Sequence, residues 1–391
     1  MNKIILKSKA GRRFKQGHPW VFSNELEKPQ VRPQAGEIVA LCQQDGTVLA
    51  SGFYHPHSLI AFRALTASEQ EPGEEFFSQL LDQSISLRNK VYPNSNARRL
   101  VHSESDGMPG LIIDQYNNVL SVQINSAGMD KLLNSLFPLL EKKLKPEKIV
   151  IRNDSSLRNL EQLEQYTAVW QSDEKVVTAE INEHDITYHV DVLRGQKTGF
   201  FIDQRENRYA FRRFIEDGDR VLDAFCNDGG FALNALAANA AHVDAVDISE
   251  TALARAEENA RLNKLDGRVS FTKADVMKWL PVYKPEQLYD VINLDPPAFA
   301  SNRKSIPVAR KAYRKLHGSA MQVLKSGGIL STACCSHHIS EEDFVDSIQQ
   351  AAIRNGRQCQ MIFRGGPPAD HPVLLAMPES GYLKFLVFRV L

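Results

Sequence analysis

The sequence predicts an α/β protein: a C-terminal parallel sheet wound with helices, preceded by a small β-rich module and an α+β module. Three observations carry that expectation. From Asp219 onward, short apolar strands alternate regularly with helical patterns, which implies a parallel, doubly wound sheet. Each of those strands runs into a polar loop, and in such sheets the loops at the carboxyl ends of the strands share one ligand-binding rim. Before about residue 190 the pattern differs, with strands in pairs around Asp45-Gly46 and Asn117-Asn118, both hairpin signals. A chain of 391 residues has room for two or three such domains.

Composition narrows the class. The apolar share of 43% and charged share of 24% suit a globular chain with real cores. No apolar run is long enough to span a membrane, and MNKIILKSKAGRRFK is too quickly charged for a secretory signal. The cysteines at 42, 226, 334, 335 and 359 have no disulfide framework, so a reducing, cytoplasmic location is expected. Acids and bases balance at 47 each, but unevenly. Met1–Asn24 holds Lys3, Lys7, Lys9, Arg12, Arg13 and Lys15 without an acid. The run from Asn302 to His317 holds Arg303, Lys304, Arg310, Lys311, Arg314 and Lys315, again without one. Such clusters attract phosphate backbones, although solvated surface compensated elsewhere in the fold explains each run equally well.

The elements follow in order. Residues 1–70 contain GEIVALCQ, TVLASGFY and SLIAFRAL as strands, and Thr66 to Glu75 reads as a linker. Residues 71–190 open with a helix from Glu74 to about Tyr92, followed by a hairpin, a helix over Met129–Leu144 and the strand KIVIR. Residues 191–391 carry the alternating pattern. RVLDAF leads through Asn227-Asp228-Gly229-Gly230 into a helix, HVDAV leads to Asp247, RVSFT to Asp275, YDVINL to Asp295-Pro296-Pro297, and ILSTACC to Ser336.

The chemistry concentrates at those strand ends. Asp223, Phe225, Asn227 and Gly229 form the first loop, where adjacent glycines allow close backbone approach. It is neither G-x-G-x-x-G nor a P-loop. A carboxylate at its start repels pyrophosphate and suits a cationic ligand such as S-adenosylmethionine. Asp247 is placed to accept ribose hydroxyls, and Asp275 to accept from an adenine amine. Each acid alone also reads as a helix cap; three at successive strand ends point to a nucleoside-containing cofactor. Asp295-Pro296-Pro297-Ala298-Phe299 is a rigid loop suited to the polar edge of a base.

Cys335 carries the last step. Carbon 5 of a pyrimidine becomes nucleophilic only after a thiolate adds to carbon 6, and a cysteine at a helix N-terminus near cations has the lowered pKa required. Strand alternation turns Cys334 away from Cys335. Cys42, Cys226 and Cys359 read as small buried residues. Cys334-Cys335-Ser336-His337-His338 lacks zinc-ligand spacing, and no metal is expected.

Together, Gly195-Gln196-Lys197-Thr198-Gly199-Phe200-Phe201-Ile202-Asp203-Gln204-Arg205, the Asp223 loop, Asp247, Asp295-Pro-Pro and Cys335-Ser336 resemble the bacterial large-subunit (23S) ribosomal RNA (cytosine-5)-methyltransferase family, over nearly the whole chain. The resemblance implies a PUA β-barrel over 1–70, marked by Gly17-His18-Pro19-Trp20-Val21-Phe22, an RNA-binding α+β domain over 71–190, and a Rossmann-like class I methyltransferase domain over 191–391. It also implies that Lys197, Thr198, Phe200, Asp203 and Arg205 join Asp223, Phe225, Asn227, Gly229, Asp247 and Asp275 around S-adenosylmethionine. Asp295, Pro296, Pro297 and Phe299 would then meet the base, with Cys335 as nucleophile and Asp295 as the second catalytic residue, protonating or hydrogen-bonding N3 as the thiolate adds. Arg303, Lys304, Arg310 and Lys311 are expected to hold phosphates at the site's mouth. The partner expected is RNA, 23S ribosomal RNA or a large-subunit assembly intermediate, with homodimerisation left open. Ala298 stands where many RNA cytosine-5 enzymes carry a second cysteine, so the base that removes the C5 proton is not identified. Two rival readings stand beside this one: methylation of an exocyclic base amine, for which Cys335 is dispensable, and RNA binding without turnover.

Overall fold

The computed structural model describes residues 1–300 and 302–391. Its contacts group into two units. The first comprises Met1–Ile181, Val190–Ile202 and Ala369–Ser380; the second comprises Asn182–His189, Asp203–Pro368 and Gly381–Leu391.

In the first unit, strands Asn2–Ile5, Glu37–Cys42, Val48–Tyr54, Ile60–Thr66 and Trp20–Phe22 form one sheet in that spatial order. Val21, Val39, Leu41 and Phe62 are fully buried in its core. The hairpin expected to turn on two residues at Asp45-Gly46 instead uses a longer loop, with Cys42 opposite Val48. Here the Asp45 carboxylate takes the Thr47 N–H at 2.9 Å, an Asx turn that competes with the two-residue geometry. Only Gly46 needs positive φ. At Asn117-Asn118 the tight turn does form, since Tyr116 faces Val119 and Asn117 adopts φ 54°.

That second hairpin lies in a five-stranded sheet ordered Tyr166–Val169, Lys148–Asn153, Val119–Ile124, Leu111–Tyr116, Ala97–His102. Helices Glu74–Val91 and Leu133–Leu144 cover it with Phe77, Leu81, Leu136 and Leu140. The single helix expected over Met129–Leu144 is broken at Leu132, which leaves a separate Ser126-capped turn at Ala127–Lys131. The two sheets share a buried charge cluster: Arg63 pairs with Glu104 at 2.7 Å and with Glu161 at 2.9 Å. Segment 369–380 completes this unit. Arg88 binds both oxygens of Asp106 and the Asp370 carbonyl, while the Asp370 carboxylate accepts Arg99 N–H at 3.0 Å.

The second unit is built on strands β1 (Arg220–Ala224), β2 (His242–Asp247), β3 (Val269–Lys273), β4 (Tyr289–Leu294), β5 (Leu324–Cys334), β6 (Cys359–Gly365) and β7 (Lys384–Val390). The main helices are α1 (Arg205–Phe211), α2 (Gly230–Ala237), α3 (Glu250–Leu262), α4 (Val276–Trp279), α5 (Ile306–Val323) and α6 (Glu341–Arg354). The strand order is β3-β2-β1-β4-β5-β7-β6, a Rossmann-like α/β sheet. Val221, Leu222 and Ala224 of β1 are fully buried, the continuous apolar pattern of a strand covered on both faces.

The sheet is not wholly parallel as expected. β7 runs antiparallel to both β5 and β6. After β6 the chain passes through segment 369–380 and re-enters the sheet from the carboxyl end of β5, so Lys384 starts β7 directly opposite Cys334. Entry from that end dictates the reversed direction, and it brings residues 382–384 to the rim where β1–β5 end. Among the described residues, no helix is long and apolar enough to cross a membrane.

Candidate active site

The loop after β1 is tightly built. Phe225 and Asn227 adopt positive φ of 66° and 46°, costly backbone states for side-chain-bearing residues of the kind found at ligand clamps, and Gly229 follows at 81° without that cost. The glycines answer to packing. A Cβ on Gly229 would meet that of Ala256 at 3.2 Å, and one on Gly230 would strike the Arg208 side chain at 2.8 Å. Close helix packing requires this pair of glycines. Asp223 is buried, with one oxygen accepting Ala232 N–H at 2.8 Å and the other Asn293 Nδ2 at 2.9 Å. It thus anchors α2 to β1 and β4.

Asp247, at the end of β2, accepts Asn227 N–H at 3.0 Å on one oxygen and Ser249 N–H at 2.8 Å on the other. Each oxygen keeps a further lone pair. Burial pushes the Asp223 carboxyl up to about 6, and Asp247 adds to the rise. Burial also pushes Asp228 up to about 6 against the opposing pull of Arg255. The Asn227 Oδ1 atom is buried without a hydrogen-bond partner among the described residues. The loop therefore gathers negative charge and lacks a donor. Asp275 lies further out, half-exposed, capping α4 through Met277 N–H and pairing with Lys278 at 3.1 Å.

The Gly195–Arg205 stretch divides between the units. Thr198 and Phe200 are buried in the first, where the Thr198 hydroxyl donates to Asp114 at 2.5 Å and Tyr116 bonds the Phe200 carbonyl at 3.1 Å. Lys197 lies over the Phe201 ring at 4.3 Å. Asp203 and Arg205 are buried in the second unit. Tyr382 donates to Asp203 at 2.5 Å. Gln204 donates to Asp295 at 3.0 Å, and Asn207 orients its amide from 2.7 Å. Thus Gln204, absent from the sequence-derived set, aims the Asp295 carboxylate. Arg205 stands 4.0 Å from Glu183, whose main partner is Arg208.

In the loop after β4, Pro296 is buried, Pro297 is exposed, and the half-buried Phe299 ring packs on Tyr313 at 4.7 Å between centroids. Cys334 is fully buried in the core, whereas Cys335, just past β5, is partly exposed. The Ser336 hydroxyl ties this turn to the Ala300 carbonyl at 2.8 Å. Of the basic run, Arg303, Lys304 and Lys311 are exposed. Arg310 is not available as expected: it pairs with Asp343 and Asp346 of α6, because its place on α5 turns it toward the acidic first turns of the neighbouring helix.

Residues 99–389 match the S-adenosylmethionine-dependent methyltransferase family, and residues 4–67 match the PUA-like domain family. The chain is 36% identical over 394 residues, 99% of both sequences, to the ribosomal RNA large subunit methyltransferase I of Shewanella frigidimarina. The chain belongs to that methyltransferase family. The methyltransferase I of Shewanella amazonensis is 38% identical over 99% of both chains, and that of Escherichia coli O139:H28 is 35% identical over 100% of this chain and 99% of its own. In fold, the methyltransferase superposes on SMU.776 in its complex with SAH, with TM-score 0.86 over 100% of both chains at 20% identity.

S-adenosylmethionine is the cofactor of this methyltransferase domain, and the loop after β1 fits it. A sulfonium and an ammonium would relieve the crowded carboxylates, and an ammonium could donate to the buried, unpartnered Asn227 Oδ1. The raised Asp223 carboxyl gives this fit a pH signature. Below about 6 Asp223 takes up a proton, the loop loses a negative charge, and a cation binds less well. Titration calorimetry from pH 7 to 5 is expected to show the S-adenosylmethionine Kd rising by about tenfold, with a flatter profile in Asp223→Asn. A parent Kd that stays constant over that range counts against the cationic fit.

Proposed function

We propose that this methyltransferase adds a methyl group to carbon 5 of a cytosine in 23S ribosomal RNA, or in an assembly intermediate of the large subunit, through a covalent bond from Cys335. The observation that carries this reading is the placement of a partly exposed Cys335 at the end of β5, one strand from an Asp295 aimed by Gln204. The Cys335 thiolate forms a bond to carbon 6, and the electron pair of the 5,6 double bond moves to carbon 5. When bound, S-adenosylmethionine supplies an electrophilic methyl group and leaves as S-adenosylhomocysteine. Loss of the C5 proton to a base restores the double bond, breaks the C6–S bond and returns the thiolate. Asp295 holds the polar edge of the cytosine while negative charge builds on the ring.

Asp223, Phe225, Asn227, Gly229, Asp247, Asp275, Asp203 and Arg205 are assigned to the cofactor, and the family resemblance extends that assignment to Lys197, Thr198 and Phe200. Pro296, Pro297 and Phe299 shape the base-binding loop. The exposed Arg303, Lys304 and Lys311 contribute phosphate contacts. A cytosine inside a helix cannot reach such a rim, so the base is drawn out of its stack.

The test is mass spectrometry of nucleosides from unmodified ribosomal RNA incubated with protein and S-adenosylmethionine. The expected product is 5-methylcytidine. An N-methylated nucleoside instead would transfer the assignment to amine methylation.

A further inference from the structure

The turn carrying Cys335 is clamped at Ser336 from two sides. The buried Ser336 hydroxyl holds the Ala300 carbonyl at 2.8 Å, and the Ser336 carbonyl accepts from Lys384 Nζ at 2.7 Å. Lys384 also donates to the Tyr382 carbonyl at 3.1 Å, is half-buried, and stands opposite Cys334 in the β5–β7 register. We infer that Lys384 is a positioning residue for the thiol: its ammonium fixes the Ser336–His337 peptide, one residue past Cys335, and supplies a half-buried positive charge that favours the thiolate. This rests on the reading of Cys335 as nucleophile.

The electrostatics run the same way. Burial lowers the Lys384 pKa, while Cys334, Cys335 and Glu341 oppose that fall. Coupling between two charges is reciprocal, so whatever a Cys335 thiolate does to keep the proton on Lys384, the ammonium does to keep the proton off Cys335. The other groups facing this place do not supply that charge. Asp295 at the end of β4 repels a thiolate. Tyr313 on α5 is kept protonated by burial and by the thiols and Asp295 around it, so it stays neutral. Glu341 on α6 is already paired with Arg364 at 3.1 Å. His337 and His338, their rings 3.8 Å apart, follow in the turn, His337 being exposed to solvent.

The test is the pH dependence of iodoacetamide alkylation at Cys335 in the full chain, read by peptide mass spectrometry for the parent, Lys384→Met and Lys384→Arg. Cys359, partly exposed on β6, is the internal reference. Circular dichroism establishes that each variant is folded. Lys384→Met is expected to raise the Cys335 midpoint by about one pH unit, slowing alkylation at neutral pH about tenfold. Lys384→Arg is expected to stay near the parent, and Cys359 is expected not to move. Methyl transfer by Lys384→Met should recover as pH rises. An unmoved Cys335 midpoint in folded Lys384→Met, or an equal shift at Cys359, overturns the assignment. Alkylation needs no methyl transfer, so this failure is distinct from a Cys335→Ala variant that still methylates, which would overturn the covalent reading itself.

Discussion

Cys335→Ala is expected to reduce 5-methylcytidine formation by at least about 10³-fold while S-adenosylmethionine binding stays at the parent level. The loss is large because carbon 5 has no other route to nucleophilic character. Binding survives because the cofactor loop after β1 is held by its own bonds, Asp223 to Ala232 and Asp247 to Asn227. Cys334→Ala is the matched control. That thiol is fully buried in the core, so its removal costs roughly 1 kcal/mol of stability and leaves the product unchanged. The measurement is single-turnover methylation followed by nucleoside mass spectrometry, with calorimetry for the cofactor. Equal activity in parent and Cys335→Ala would transfer the enzyme to direct amine attack.

Asp247→Ala should weaken S-adenosylmethionine binding by about 100-fold. Its carboxylate has two tasks, accepting Asn227 N–H and Ser249 N–H and offering the remaining lone pairs to a ribose. Truncation removes the acceptors and releases the strained Phe225–Gly229 turn together. Asp275→Ala, which removes only an exposed cap and a Lys278 pair, is expected to cost about tenfold or less. Calorimetry on both variants decides the ranking. Parental affinity in Asp247→Ala would remove this residue from the cofactor assignment.

The acids at the strand ends were legible because a parallel sheet turns sequence order into position. Each of β1 to β5 finishes at one rim, so Asp223, Asp247, Asp275, Asp295 and Cys335 could be placed by counting strands. What those side chains do inside the fold was not legible. Asp223 reads as a ligand-facing acid, yet both its oxygens are taken by Ala232 and Asn293. Arg310 reads as one more cation in a basic run, but the facing acids come from α6, over thirty residues later. Gln204, Tyr382 and Lys384 escaped for the same reason. Their partners are set by long-range pairing, above all by the β5–β7 register, which no local period encodes. At Asp45-Gly46 the difference is short-range: one side-chain hydrogen bond outweighs a dipeptide preference.

The placement of segment 369–380 and of β7 bears on the order in which the protein is made. The first unit begins at Met1, but Arg88 and Arg99 lack their Asp370 partner until most of the second unit has been synthesised. β6 likewise has no strand neighbour until β7 is inserted between it and β5. Both units therefore draw contacts from residues 369–390, late in the sequence. Translation arrested before that stretch would yield a polypeptide with the PUA-like sheet and the cofactor loop present, but without Lys384 at the Cys335 turn.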